Sequence, residues 1–279
     1  MKIQNALIKG QSILKDNNIP SPQLDSEILM SKAINKDKKF ITLNLNKEIK
    51  KTDLNYFNYL ISERVKRKPI AYITKKKDFW NYEFLINNEV LIPRPDTEVL
   101  IEQVLKITKN KNKLKILDIG IGSGCILLSI LKEKKNFIGV GVDLSTECLK
   151  ISRVNSQKLG VNRRLKLYKS NIDNFHTGKY DLIVSNPPYI KKNSLRCLEK
   201  EIGFEPRSAL DGGLDGLSKI KKVIDRSSML IKKKGCLILE IGFDQKNKVK
   251  AILQEKGFYI KKVVKDLSKH DRCIVSIKI

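Results

Sequence analysis

The sequence predicts an α/β protein: a mostly parallel sheet that ends in a C-terminal antiparallel hairpin, preceded by a small N-terminal helical domain. Three observations predict this fold. Residues 1–75 carry apolar side chains at helical spacing. From residue 95 onward, short apolar segments typical of strands alternate with helical patterns. The last two strand patterns, residues 258–264 and 273–279, are separated by only a short polar loop.

The helical patterns of the N-terminal part have recognisable ends. Ser21 followed by Pro22 predicts a helix start, with serine as the N-cap and proline in the first turn. A later pattern begins near Thr52 and stops before Pro69, because proline interrupts a helix. We therefore predict a helical bundle over residues 1–75.

A β-hairpin is predicted after the bundle, in residues 76–94. Side chains that favour strands lie on both sides of Asn87-Asn88, a pair that tolerates the left-handed geometry of a tight turn. We expect the hairpin to turn at this pair. It would link the bundle to a larger domain over residues 95–279.

The larger domain contains five segments that predict parallel strands, with helical patterns between them: residues 115–119, 137–142, 165–168, 180–185 and 236–241. The two terminal strand patterns should pair antiparallel, because no crossover helix fits between them. This arrangement is typical of class I, Rossmann-like methyltransferases.

A glycine-rich loop follows the first of these strands and opens a helix. Its glycines permit a tight turn and a close approach of backbone to a ligand. The second strand ends at Asp143, where a carboxylate can accept hydrogen bonds from both ribose hydroxyls of a nucleoside. We predict a nucleoside crevice here, with these loop residues as contacts: Asp118, Ile119, Gly120, Ile121 and Gly122.

The spacing of the loop discriminates between two cofactors. A dinucleotide needs Gly-x-Gly-x-x-Gly, whereas this chain has Gly-x-Gly-x-Gly. The carboxylate of Asp118 would also repel a diphosphate, but it suits the amino group and sulfonium of S-adenosylmethionine. S-adenosylmethionine is therefore the predicted cofactor. The alternative is that the glycines form only a tight turn and that the acidic residues cap helices.

The fourth strand ends in the most informative motif, Asn186, Pro187, Pro188 and Tyr189. Two prolines remove two backbone donors and leave carbonyls free to accept. The Asn186 side chain and the Pro187 carbonyl can bind the two hydrogens of a planar –NH2 group, and Tyr189 can stack on its plane. We predict that these four residues bind the substrate and form the catalytic site.

This chemistry needs positioning more than a base. Two acceptors shift charge onto the nitrogen as it becomes pyramidal, and the proton can leave after the methyl group arrives. The only histidines, His176 and His270, lie outside the motifs. The motif fits adenine in DNA, guanine in RNA and glutamine in protein alike.

Composition excludes several classes of protein. No stretch approaches the roughly 20 apolar residues of a membrane-spanning helix. The five cysteines form no close pair, so we expect no metal site and reduced thiols in the cytoplasm. The 56 basic and 30 acidic residues give a net charge of +26. The lysines are spread along the chain, so biased composition explains this charge better than a nucleic-acid site does.

Three segments carry a resemblance to a known family. They read Ile-Pro-Arg-Pro-Asp-Thr-Glu at residues 92–98, Asn-Pro-Pro-Tyr-Ile at residues 186–190, and Glu-Pro-Arg-Ser-Ala-Leu-Asp-Gly-Gly-Leu-Asp-Gly-Leu at residues 205–217. With the helical domain and the hairpin, the chain resembles the HemK/PrmC glutamine methyltransferases over nearly its whole length. That family methylates the glutamine of the Gly-Gly-Gln motif in class 1 peptide chain release factors, the proteins of translation termination.

The resemblance implies roles for individual residues. The loop from Asp118 to Gly122 would contact the methionine end of the cofactor, and Asp143 its ribose. Asn186 would lie beside the cofactor and grip the glutamine amide, while the helical domain docks the release factor. The chain departs from the family at the end of the third strand, where Asn171 and Ile172 stand in place of an acidic and an aromatic residue. We expect these two residues to contact the adenine.

Other functions share parts of this pattern. A methyltransferase acting on amines of DNA or RNA bases would use the same cofactor and catalytic residues, but no nucleic-acid module is visible in the N-terminal part. A non-catalytic protein that binds S-adenosylmethionine or the ribosome would not need an intact Asn-Pro-Pro-Tyr motif. We expect a monomer without stable nucleic-acid or membrane binding.

Overall fold

A computed structural model describes residues 1–279 and divides into two compact units. The first unit comprises Met1–Lys76 together with Glu199–Phe204, and the second comprises Lys77–Leu198 together with Glu205–Ile279. The residues from 77 to 94, which the sequence analysis assigns to a separate linker, therefore group with the second unit.

The first unit contains five helices: α1 (Ile3–Asp16), α2 (Pro22–Ile34), α3 (Lys38–Leu43), α4 (Lys51–Val65) and α5 (Ile70–Thr74). Its core is built from their apolar faces, with Leu14, Leu29 and Phe57 almost fully buried. Gly10 allows α1 to approach α4 closely, since a Cβ at this position would lie 2.7 Å from Cζ of Phe57.

A buried ion pair connects two helices of the first unit. Arg64 on α4 donates from Nε to Oδ2 of Asp25 on α2 at 2.7 Å, and both side chains are largely buried. The guanidinium also contacts Glu201 at 3.3 Å. Removal of one partner would leave an uncompensated buried charge, which makes such a pair costly to break.

Nine strands and five helices follow along the chain: β1 (Lys76–Phe79), β2 (Tyr82–Leu85), α6 (Glu98–Ile107), β3 (Lys115–Ile119), α7 (Cys125–Glu133), β4 (Ile138–Asp143), α8 (Thr146–Lys158), β5 (Leu165–Lys169), β6 (Tyr180–Ser185), α9 (Ser218–Leu230), β7 (Ile231–Glu240), α10 (Lys246–Glu255), β8 (Phe258–Lys265) and β9 (Asp271–Lys278). The main sheet has the order β5-β4-β3-β6-β7-β9-β8. Its first five strands are parallel, whereas β9 pairs antiparallel with both β7 and β8. The predicted fold is confirmed.

The β-hairpin turns at a different place from the predicted one. Strands β1 and β2 form a two-stranded sheet that turns at Trp80-Asn81, with Trp80 at a φ of 56°. Glu98 fixes this turn, because its carboxylate accepts the backbone N–H of Trp80 at 2.7 Å. At Asn87 the chain makes only a local turn, in which the side chain accepts from the N–H of Glu89. The predicted turn at Asn87-Asn88 is wrong.

The sheet topology determines where a site can form. The chain order reverses between β3 and β6, which are neighbours at the centre of the sheet. In open α/β sheets, a ligand crevice forms at such a point, outside the carboxyl ends of the strands. Ser185 connects the two ends, because its hydroxyl donates to the carbonyl of Ile119 at 2.7 Å. None of the helices is long and apolar enough to cross a membrane.

Candidate active site

The loop after β3 leaves open space in front of its backbone. Gly120 and Gly122 have φ angles of 78° and 55°, a region that favours glycine over other residues. A Cβ on Gly120 would meet no atom within 4 Å. A ligand can therefore approach this backbone without displacing a side chain.

Asp118 places an unpartnered carboxyl group under the loop. Its side chain is 1% exposed, and neither carboxyl oxygen has a hydrogen-bond partner. Burial, followed by the negative charge of Asp143, raises the pKa of Asp118 to about 8. A buried polar group without a partner is unfavourable, so a cation or donor brought beside Asp118 would relieve it. This group fits the cationic methionine end of S-adenosylmethionine.

Asp143 is held by backbone donors at the end of β4. One oxygen accepts the N–H of Gly122 and the other accepts the N–H of Ser145, both at 2.9 Å. Burial raises the pKa of Asp143, while these donors act in the opposite direction. Each oxygen keeps a second lone pair, and the residue is only half-buried. The geometry leaves the carboxylate able to accept ribose hydroxyls.

The two residues predicted for the adenine begin a short 3₁₀ helix, Ile172–Asn174, after β5. The side-chain oxygen of Asn171 accepts the N–H of Asp173 at 3.2 Å, so it caps this turn. Asn171 is exposed, and Ile172 is half-buried against the core. The backbone holds them beside the end of β4, because Ser170 donates its N–H to the carbonyl of Asp143.

Asn186 presents one free acceptor. Its Nδ2 donates to Oγ1 of Thr97 at 3.2 Å, which orients the amide and leaves Oδ1 without a protein donor. The carbonyl of Pro187 likewise receives no hydrogen bond from the protein. Since Pro187 and Pro188 lack N–H groups, this end of β6 offers acceptors and few donors.

Tyr189 is held at both ends by buried polar groups. Its hydroxyl donates to Oε1 of Glu240 at 3.3 Å and accepts from Arg272 at 3.3 Å. Its carbonyl accepts from the side chain of Gln245 at 3.0 Å. Burial, and next the charge of Glu240, raises the pKa of Tyr189 well above its usual value. The phenol is therefore neutral at physiological pH, and its ring is fixed in place.

Residues 93–98 form one side of this site. Arg94 pairs with Glu205. Asp96 lies 3.5 Å from the guanidinium of Arg272, and Thr97 accepts from Asn186. This segment is more than a rigid entry to the second unit, because three of its side chains contact residues around the Asn-Pro-Pro-Tyr motif.

Four residues of the site are absent from the set predicted from the sequence: Thr97, Glu240, Gln245 and Arg272. A signal existed for Glu240: like Asp118 and Asp143, it is an acidic residue near the carboxyl end of an apolar strand. Thr97 lies in the segment of residues 92–98 that carries the family resemblance. No local pattern marks Gln245 and Arg272, since they reach the motif only through the tertiary fold.

Comparisons with known proteins agree with this architecture. The family model for the PrmC N-terminal domain matches residues 5–74, and that for the methyltransferase small domain matches residues 95–202. The release factor glutamine methyltransferase of Clostridium acetobutylicum is 38% identical over 283 aligned residues, which span 100% of this chain and 99% of that relative. This chain belongs to the release factor glutamine methyltransferase family.

Another relative and two solved structures extend the comparison. The release factor glutamine methyltransferase of Caulobacter vibrioides is 35% identical, with 95% of this chain and 92% of that protein covered. A methyltransferase from Pyrococcus furiosus superposes with a TM-score of 0.55 at 18% identity, over 72% of this chain and 91% of the other. The ribosomal protein L11 methylase of Lactobacillus delbrueckii gives a TM-score of 0.52 at 18% identity, over 73% and 90%. At 18% identity, these two structures show that this chain shares their fold.

Proposed function

We propose that this protein transfers a methyl group from S-adenosylmethionine to the side-chain amide nitrogen of the glutamine in the Gly-Gly-Gln motif of class 1 peptide chain release factors. One observation carries the proposal. The free Oδ1 of Asn186 and the free carbonyl of Pro187 follow directly after β6, whose end is hydrogen-bonded to the end of β3 that carries Asp118. The relatives that cover nearly the whole chain have names that support the same substrate.

The cofactor half of the site is assigned to the loop after β3 and to the ends of β4 and β5. Asp118 would bind the ammonium end, the loop from Ile119 to Gly122 would lie along the methionine part, and Asp143 would bind the ribose. Asn171 and Ile172 would contact the adenine. When bound, S-adenosylmethionine would supply the methyl group on its sulfonium, and the neutral thioether that remains would be the leaving group.

The substrate half is assigned to the Asn-Pro-Pro-Tyr motif. Asn186 and Pro187 each accept one hydrogen of the glutamine amide, which favours a lone pair localised on the nitrogen, rather than conjugated with the carbonyl, as the nitrogen becomes pyramidal. Tyr189 stacks on that plane, and Pro188 keeps the segment rigid. No base is needed before attack, because the nitrogen can lose its proton to solvent after the new bond forms.

The remaining assignments concern partners. The helical residues 1–75 would dock the release factor, and the protein would act as a monomer in the cytoplasm. The helical match to the PrmC N-terminal domain supports a docking role, since this part of the chain carries none of the proposed catalytic residues.

The test is a methyl-transfer assay with labelled S-adenosylmethionine. A purified release factor, transfer RNA, ribosomal RNA and DNA are offered in parallel, and peptide mass spectrometry locates the label. We expect label on the glutamine of Gly-Gly-Gln and none on a release factor in which that glutamine is replaced. Label on nucleic acid with an unmodified release factor would overturn the substrate and favour a base amine methyltransferase.

A further inference from the structure

Glu240 is a buried carboxyl group to which the proposed reaction assigns no role. It is the last residue of β7, its side chain is 1% exposed, and its Oε2 has no hydrogen-bond partner. A buried carboxyl group with one unpaired oxygen costs stability. Its location suggests a function, because its other oxygen contacts the tyrosine of the catalytic motif.

The hydrogen bonds around this carboxyl group run in one direction. Arg272 cannot accept, so its NH1 donates to the hydroxyl oxygen of Tyr189 at 3.3 Å. The hydroxyl hydrogen is then directed to Oε1 of Glu240, also at 3.3 Å. Asp266 holds the guanidinium from the far side, through bonds of 3.0 Å to Nε and NH2. In this chain of contacts, Tyr189 belongs to the proposed substrate site. A separate contact of Glu240 with Thr97, which accepts from Asn186, leads to the same site.

The ring of Tyr189 has two points of attachment. Gln245 holds the backbone through its bond to the Tyr189 carbonyl, and it also donates to the carbonyl of Gly216 at 3.0 Å. Glu240 holds the hydroxyl at the opposite end of the residue. Loss of the second attachment would free the ring to rotate about its side-chain bonds while the backbone stays in place.

We propose that Glu240 is a positioning residue for methyl transfer, and that its ionised carboxylate fixes the Tyr189 ring against the substrate amide. The proposal rests on the function proposed above, in which Tyr189 stacks on that amide. An ionised acceptor forms a stronger hydrogen bond with a phenol than a neutral one. The ring is therefore held more firmly when Glu240 is charged.

The surroundings determine the pH at which this change occurs. Burial raises the pKa of Glu240 to about 7, while contacts with Thr97, Arg272 and Tyr189 lower it and the charge of Asp96 raises it. The titratable and charged groups that face this carboxyl from the packed elements are Asp96, Cys125, Tyr189, Arg272 and Cys273. The two thiols stay neutral near pH 7, because burial raises the pKa of each to about 12 or above. Glu240 itself therefore changes charge near neutral pH.

The experiment measures single-turnover methyl transfer to a release factor between pH 5.5 and 9, for the wild type and Glu240→Gln. Glutamine keeps the acceptor oxygen but stays neutral. We expect equal rates near pH 6 and a variant that is roughly five- to tenfold slower at pH 8.5, the difference between a neutral and a charge-assisted hydrogen bond. The affinity for S-adenosylmethionine should be unchanged. Glu255→Gln, which alters an exposed carboxylate at the end of α10, should follow the wild-type profile.

A second variant tests the route through Tyr189. Tyr189→Phe keeps the ring and removes the hydroxyl, so it should also lose the rate increase near pH 7. In this background, Glu240→Gln should cause no further loss. The inference is overturned if Glu240→Gln keeps the wild-type pH profile, or if the two losses multiply. If Glu240→Gln fails to fold, the role of Glu240 is rejected when Tyr189→Phe keeps the full increase in methyl-transfer rate near pH 7.

The wild-type data separate this inference from the proposed function. If the wild type does not methylate the release factor at any pH, the proposed function itself fails. If it methylates the correct glutamine with a rate that does not change around pH 7, only the role of Glu240 fails.

Discussion

The two halves of the candidate site differ in the partners that the protein gives to Asp118 on one side and to Asn186 and Tyr189 on the other. In the cofactor half, Asp118 has no partner for either carboxyl oxygen, and the space in front of Gly120 is open. In the substrate half, Asn186 is oriented by Thr97, and Tyr189 is attached at its hydroxyl and at its carbonyl. The protein itself orients Asn186 and Tyr189, whereas the proposed cofactor would supply the partner that Asp118 lacks.

This difference has a physical reason. A cofactor that carries its own ammonium group and hydroxyls can supply the missing partners on binding, and the relief of an unfavourable buried charge then contributes to affinity. A glutamine side chain is uncharged and supplies little binding energy, so the acceptors that orient it must be fixed beforehand. Substitutions in the two halves should therefore have separable effects on catalysis and on cofactor binding.

Asn186→Ala should affect catalysis and leave the cofactor half intact. Loss of one preorganised acceptor should lower the rate of methyl transfer on the order of 10²- to 10³-fold. The dissociation constant of S-adenosylmethionine, measured by calorimetry, should change little. Asn110→Ala, an exposed position between α6 and β3, serves as the control. An equal loss of cofactor binding in Asn186→Ala would contradict the division into two halves.

Asp143→Ala should weaken the cofactor half. The substitution removes the proposed ribose acceptor and also the partner of the Gly122 and Ser145 N–H groups. We expect the dissociation constant to rise by about tenfold or more, consistent with 1.5–3 kcal/mol for hydrogen bonds to a charged group. Asp181→Ala is a matched control, because Asp181 also accepts a backbone N–H, that of Lys115, but at the start of a strand. An unchanged affinity in Asp143→Ala would remove the ribose assignment.

Asp118→Asn should raise the stability of the free protein at high pH while it lowers the affinity for S-adenosylmethionine. The folded-state pKa of Asp118 is about 8, above its unfolded value of about 3.9. Its contribution to stability is therefore present at low pH and is lost as the pH rises through about 8. Without ligand, the variant should melt several degrees above the wild type at pH 8.5 and near it at pH 4. It should also bind S-adenosylmethionine more weakly at pH 8.5. If the melting temperatures of the variant and the wild type differ by the same amount at every pH between 4 and 9, this role of the Asp118 carboxyl group is ruled out.

Gly120→Ala should give the smallest effect. A side chain in the left-handed region costs about 1 kcal/mol of folding free energy, and the added Cβ meets no protein atom within 4 Å. Gly160→Ala is the matched control, because Gly160 has a φ of 69° and equally open surroundings. Both variants should lose similar stability in urea titrations, but only Gly120→Ala should bind the cofactor less tightly. If the two variants bind S-adenosylmethionine with equal affinity, the cofactor does not occupy the space in front of Gly120.

Much of the fold followed from local pattern. β6 has the predicted ends, 180 and 185, because its apolar run is bounded by Asn186 and two prolines. β7 begins at Ile231, whereas the prediction placed its start at residue 236. Three exposed lysines precede the apolar part of β7, so the sequence pattern does not indicate a strand there. The predicted position of the hairpin turn is wrong because the pair Trp80-Asn81 has no sequence signal for a turn. Glu98, eighteen positions away, stabilises the turn there by accepting the N–H of Trp80.

The positions of the residues proposed to contact the ligands could be predicted from the sequence, but the residues that hold them in place could not. Asp118, Asp143 and Asn186 stand at the ends of apolar strands, so their convergence follows from the rule that parallel strands bring their carboxyl ends to one edge. Arg272 and Gln245 reach Tyr189 from β9 and from the start of α10. No spacing in the sequence relates them to it, because their contact depends on the register of the sheet.

The Glu201 contact with Arg64 has a consequence for how this chain can be divided. Residues 199–204 lie far along the sequence, yet they belong to the helical unit, so the polypeptide passes from one unit to the other at three junctions. A fragment that stops at Lys76 would lack the second acid that faces Arg64. The helical unit is therefore not a detachable module, and a chimaera between relatives would have to exchange residues 199–204 together with the first 76.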